Sequence, residues 1–352
     1  MQAKLAALEY FLPEKEVSNA DLAVEFSAAA VNKIAKMTGI VERHVAGNDE
    51  CASDLAVCAA QRLFQSGVCK PDEIDFILFC TQSPDYYLPT TACLLQERLG
   101  IATTAGAFDF NLGSSGYVYG LGIAQGLIAT GQASRVLLLT AETYSKYLNA
   151  RDRSVRTVFG DGATASLLTA VESCDPLIGP FVYGTNGSGG PSLIVPSGGA
   201  RLRRTSETAT IGEADEAGNF RSQDDLYMNG GEIFNFTIEV APKSVQSLLD
   251  KAHCKLEDID LFVFHQANEY ILEHLRRRIG IAAERFQVTI SHCGNTCSST
   301  IPIALKHAEI EGRLRENMLV MLVGFGPGLS WGSTLLRWSG PAACSQQSGS
   351  GN

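Results

Sequence analysis

"IDFILFCTQ", Ile74 to Gln82, returns later in the chain as "IDLFVFHQA", Ile259 to Ala267. Each copy is an apolar run of strand length that ends in a polar turn, the pattern of a strand buried on both faces. Working outward, "QERLGI" ending at Ile101 is matched by "RRRIGI" ending at Ile281, each closing a helix. "FDFNLGSSG" from Phe108 and "VTISHCGNTCSST" from Val288 each read as a strand running into a Gly/Asn corner. "RVLLLTAE", Arg135 to Glu142, is answered by "MLVMLVGFG", Met318 to Gly326. Elements recurring in one order, offset by roughly 180 residues, mark an internal repeat, and a repeat dictates architecture. The pattern predicts an α/β protein of two βαβα-type halves stacked around a pseudo-twofold. Equivalent corners converge in such a stack, so Ser114, His265 and Asn295 are expected to share one site.

Composition sets the limits. The 352 residues carry a net charge of −10 and are 45% hydrophobic, enough for one large or two medium domains with a sizeable core. The acidic balance argues against nucleic acid or an anionic membrane as partner. The N-terminal "MQAKLAALEYFLPEKE" has charges and a proline where a signal peptide needs an unbroken apolar core, and no apolar run reaches the length of a membrane span. Ten cysteines without CxxC or Cys/His metal spacing read as reduced thiols of a cytoplasmic protein with no metal site.

The repeat divides the chain into residues 1–172 and 226–338. Between them, residues 173–225 are rich in Gly, Ser and charge and read as surface loops near a substrate entrance. The tail, 339–352, has linker composition and is expected to be disordered.

Three stretches carry the chemistry. In "FDFNLGSSGYVYGLGIAQGL" small residues at a strand end precede an apolar helix, whose N-terminus favours negative charge on Ser114. In "FVFHQANEYILEHL" His265 ends a strand, and "HCGNTCSST" supplies Asn295 in the matching corner. "VFGDGATASLL" is a tight acidic turn between strands that lacks the ending and spacing of a phosphate loop, and "GFGPGLSWG" is a glycine turn able to approach a ligand closely.

With "TGIVERH", "LPTTACLLQERLG", "FGDGA" and "GNT" in order, the chain from about Leu5 to Trp338 resembles the β-ketoacyl-acyl carrier protein synthase III group of the thiolase-fold condensing enzymes. The resemblance implies a five-layered α-β-α-β-α arrangement. It also implies decarboxylative Claisen condensation of an acyl thioester primer with malonyl-acyl carrier protein. Ser114 would stand at the nucleophile position, with His265 and Asn295 as the pair stabilising the enolate. Arg153, Asn268 and Gly230 are implied contacts of a coenzyme A or phosphopantetheine thioester, Phe234 a part of the acyl pocket, and Leu88 the substrate-pocket residue that reaches across the dimer interface to cap the acyl pocket of the second copy. No permanently bound cofactor is implied; the partners would be acyl carrier protein and a second copy of the chain in a homodimer.

Three departures from the group stand out. Its nucleophile is normally Cys; Ser114 is either a natural serine or a Cys-to-Ser change that traps an acyl substrate. Pro327 replaces a residue whose N–H helps form the acyl oxyanion hole, and proline has no such donor. Near Lys33 and Met37 the aromatic and basic clamp on the coenzyme nucleotide is unmatched, which makes a carrier-borne primer the better fit. Leu88, smaller than an aromatic, leaves room for medium chains. An acyltransferase to an oxygen or nitrogen nucleophile, and a non-catalytic partner subunit, stay open as alternatives.

Overall fold

The structure, a computed structural model, describes residues 1–339. Nearly all of the tail read as disordered lies outside the described residues. Strands β1 (Gln2–Phe11), β2 (Phe76–Cys80), β3 (Gly106–Phe110), β4 (Arg135–Glu142) and β5 (Gly162–Val171) form one sheet in the order β1-β5-β4-β2-β3. Strands β6 (Ile178–Thr185), β7 (Leu261–Phe264), β8 (Leu319–Gly326) and β9 (Ser330–Arg337) form the second, in the order β7-β8-β9-β6. The pairing repeats: β2 lies parallel to β4 as β7 lies parallel to β8, and β5 and β9 each close antiparallel on that pair.

The repeat extends to single side chains. Asp75 accepts the N–H of Arg135 at the start of β4, and Asp260 accepts the N–H of Leu319 at the start of β8. Each aspartate thereby sets the register of a parallel pair at its open end.

Two parts depart from the sequence reading. Residues 173–225 are not loops throughout: β6, with its Gly, Pro and Thr, is a full strand of the second sheet, so the second half begins there and not at residue 226. Pairing along β9 supplies the order that its own composition does not signal. Conversely, "VTIS" forms no strand. Where β3 stands in the first half, the second has a single bridge between Phe262 and Phe286, and a 3₁₀ turn at Ile290–His292. There the Gln266 side chain accepts the N–H of Thr289 in place of a ladder partner. Finally, "VFGDGA" follows a short helix, Arg153–Arg156, so that acidic turn joins helix to strand.

Helices α1 (Ala52–Gln65), α2 (Thr91–Arg98), α3 (Gly116–Ala129), α4 (Gly230–Ala252), α5 (Glu269–Ile279) and α6 (Thr300–Ile310) complete five layers. Strand residues alternate between two cores, as the two-residue period requires. Leu78, Leu138, Val263 and Leu322 face the central layer of Val118 and Leu121 on α3 and Ile301 and Leu305 on α6. Ile77, Phe79, Leu137 and Leu139 face α1 and α2 on one outside; Phe262, Phe264, Met321 and Val323 face α4 and α5 on the other. The N-termini of both central helices therefore open where the two halves meet.

Candidate active site

Ser114 stands just before α3, buried at the helix N-terminus, where the unpaired N–H groups and the helix dipole favour negative charge. Its own N–H has no hydrogen-bond acceptor among the described residues. Gly326, at the end of β8, lies against it: a Cβ there would fall 2.9 Å from the Ser114 N and 3.4 Å from its Oγ. Only glycine lets the second half approach Ser114 this closely.

His265 follows β7. Its Nδ1 lies 2.7 Å from Thr300 Oγ1, the first residue of α6, and its ring packs edge-on against Phe325. Burial pulls the imidazole down to about 3, so the ring is neutral across the physiological range. Thr300 Oγ1 also reaches the Cys297 carbonyl, at 3.0 Å. That hydroxyl proton decides the tautomer: donated to Nδ1 it leaves Nε2–H a donor, donated to the carbonyl it lets Nε2 be a base.

Asn295 is held by the acidic turn of the first half: its N–H donates to Val158, and its carbonyl accepts from Gly160. Its Oδ1 accepts the N–H of Cys297 at 3.0 Å, an Asx turn that supports the left-handed φ of 52° at Cys297. The Asn295 NH₂ is left without a protein acceptor among the described residues.

Ser114, His265 and Asn295 line one cavity of about 90 Å³, together with Asn268 and Gly230. Asn268 caps α5, its Oδ1 accepting the N–H of Ile271 at 2.8 Å. Phe234 is placed elsewhere. Ile233 and Thr237, one turn apart on α4, face the cavity; Phe234, a further ~100° round the helix, packs on Tyr270 and His274 of α5. Arg153 also lies outside the cavity, its guanidinium donating to the Ala217 carbonyl. Leu88 borders a second, wider groove of about 1100 Å³ that shares Tyr144, Leu193 and Pro327 with the cavity.

Sequence reading did not single out Tyr144, Cys297 or Thr300. Tyr144 follows "RVLLLTAE" closely, and Cys297 and Thr300 lie within "HCGNTCSST", yet nothing in their spacing connects them with His265 or Ser114. Glu142, buried between the halves, escaped notice too. It accepts from the Gln82 N–H at 3.0 Å, the Ser83 hydroxyl at 2.8 Å and the Ser298 hydroxyl at 2.9 Å, and burial pushes it up to about 8. Among the described residues no cluster of three or more His, Cys, Asp or Glu is placed to hold a metal ion, and no helix is long and apolar enough to cross a membrane.

Two like halves in five layers, with a polar cavity at the N-terminus of a central helix, define the thiolase-fold class of condensing enzymes. Models of 3-oxoacyl-(acyl-carrier-protein) synthase III match residues 108–187 and, for its C-terminal part, residues 249–338. A beta-ketoacyl-acyl-carrier-protein synthase III of Caldanaerobacter subterraneus subsp. tengcongensis is 36% identical over 94% of this chain and 96% of its own. One from Streptomyces coelicolor is 39% identical over 95% and 96%. A crystal structure of a 3-oxoacyl-(acyl-carrier-protein) synthase III superposes with a TM-score of 0.94 at 48% identity, over 96% of this chain and 100% of the other. The chain belongs to the 3-oxoacyl-(acyl-carrier-protein) synthase III family.

Proposed function

We propose that the chain condenses an acyl thioester primer with malonyl-acyl carrier protein, releasing carbon dioxide and a β-ketoacyl thioester. The observation that carries this reading is the pairing of two donors, the free NH₂ of Asn295 and His265, in the cavity that holds Ser114. Ser114 Oγ attacks the primer carbonyl, giving an oxygen ester and a free coenzyme A or phosphopantetheine thiol. The hydroxyl proton goes to His265 Nε2 while Thr300 donates to the Cys297 carbonyl, and passes on to the leaving thiolate. For the second half-reaction Thr300 donates to Nδ1, so that Nε2–H and Asn295 bind the malonyl thioester oxygen. Loss of carbon dioxide places the negative charge on that oxygen, where preorganised donors stabilise it. The enolate carbon then attacks the ester and Ser114 Oγ departs, taking up one proton from solvent, the proton consumed as the malonyl carboxylate leaves as carbon dioxide.

Transfer to an oxygen or nitrogen nucleophile would have no use for an Asn295 donor, which favours condensation over that alternative. The phosphopantetheine arm would run past Asn268 and Gly230. Tyr86, Tyr87 and Leu88 are 61%, 84% and 82% exposed, an apolar run that supports a homodimer in which a second copy covers them. A monomeric mass at micromolar concentration would contradict that assembly.

The direct test incubates the protein with an acyl-CoA primer and malonyl-acyl carrier protein and follows carbon dioxide, the β-ketoacyl product and the intact protein mass. Acylation at Ser114 with product formation is expected. Acylation without decarboxylation would turn the reading toward acyl transfer; neither event with any donor would turn it toward a silent subunit.

A further inference from the structure

The wide groove beyond Pro327 carries information about the primer. Its inner wall is one residue from Ser114: a Cβ on Gly113 would fall 2.6 Å from Gln82 Oε1 and 2.8 Å from the Pro327 ring. Leu193 and Leu226 make part of the lining apolar, as an acyl chain requires, while Leu88 at the rim belongs to the run that a second copy would cover. The inner wall is different. The Tyr144 hydroxyl donates to Gln82 Oε1, and Gln82 Nε2 donates to Asn111 Oδ1 at 3.0 Å. This spends both amide oxygens and leaves one N–H of Gln82 and both of Asn111 without a protein acceptor among the described residues.

Arg204 borders the same groove, close to Gly198, and makes none of the ion pairs of the described residues. The carboxylate on the lining, Asp85, is held by the Ser53 N–H and hydroxyl. The groove thus offers donors beside the acyl attachment point, with a cation farther out. A saturated chain laid along it would strip water from these N–H groups and return nothing, whereas a chain bearing oxygen acceptors would satisfy them.

We propose that the groove takes the chain of an oxygenated acyl primer, one carrying a keto or carboxylate oxygen beyond the thioester, in preference to a plain saturated chain. This rests on the condensing reading of Ser114. The experiment measures equilibrium binding by calorimetry, in a Ser114→Ala background that cannot be acylated, for three coenzyme A thioesters of equal chain length: butyryl, acetoacetyl and succinyl. The expected result is at least tenfold tighter binding of the two oxygenated thioesters. Asn111→Leu should bring all three within about twofold of one another, while Arg204→Ala, a surface change, should weaken succinyl alone. Butyryl binding as tightly as the others, or oxygenated thioesters indifferent to both substitutions in protein of unchanged melting temperature, would overturn the assignment. Malonyl decarboxylation, measured in parallel, reports on the condensing reading separately, because it needs no primer in the groove.

Discussion

The corner at Phe108–Gly116 and the corner at Gln287–Thr300 occupy equivalent places in the two halves and are built differently. The first is a strand that ends, turns at Gly113 and enters a long apolar helix, so Ser114 stands on a short, stiff corner. The second has lost its strand; two 3₁₀ turns and a left-handed Cys297 lead into α6, and Asn295 is tied by its own Oδ1 and by the acidic turn opposite. One corner presents a hydroxyl where a dipole favours charge, the other an amide donor. Before the corners the same contrast holds: Cys80, the repeat partner of His265, donates to the Leu112 carbonyl and is consumed in packing, while His265 keeps Nε2 for the cavity. On the proposed reading the repeat places two different corners at one cavity, the first to load the acyl group and the second to decarboxylate the malonyl thioester.

The comparison breaks most sharply at Asn295. Asn295→Asp keeps the oxygen that accepts Cys297 N–H and loses the donor, so malonyl decarboxylation should fall roughly 10²–10³-fold while acyl loading at Ser114 persists. Equal loss of both rates would deny the division of labour.

A smaller effect is expected at the first corner. Ser114→Cys should raise the rate of acyl loading from thioesters about tenfold or more, since a thiolate forms readily at a helix N-terminus and a serine hydroxyl must lose its proton during attack. Faster, stoichiometric loading of the serine form in intact-mass spectrometry would show a corner built for oxygen.

Thr300→Val removes the hydroxyl that sets the His265 tautomer. A loss of about 1 kcal/mol, roughly fivefold in turnover, is expected, with recovery in Thr300→Ser; an equal loss in both variants would point to packing alone.

The least effect concerns the seam. Glu142 rises from the ordinary 4.5 to about 8 in the folded chain, so its contribution to stability is fully present below about pH 4.5 and is lost as pH climbs through 8. Glu142→Gln should flatten that part of the melting-temperature profile between pH 4.5 and 8. A slope unchanged by the substitution would assign it to other groups.

Much of this was legible in the chain because burial writes its period into the residues it covers. "IDFILFCTQ" and "IDLFVFHQA" declared two equivalent strands, their order declared two halves, and the halves implied that Ser114, His265 and Asn295 belong together. The same reasoning missed β6, whose partner β9 is far along the chain, and expected a strand at "VTIS" that a glutamine side chain replaces. It placed Phe234 in the pocket, although helix rotation turns that ring toward α5. It also had no means of joining Thr300 to His265, or Gln82 to Asn111 and Tyr144. Periodicity tells which face of an element is buried; which side chain meets which across a cavity is decided only when the sheets and helices pack, by rotations of a third of a turn and approaches of an ångström that leave no period in the sequence.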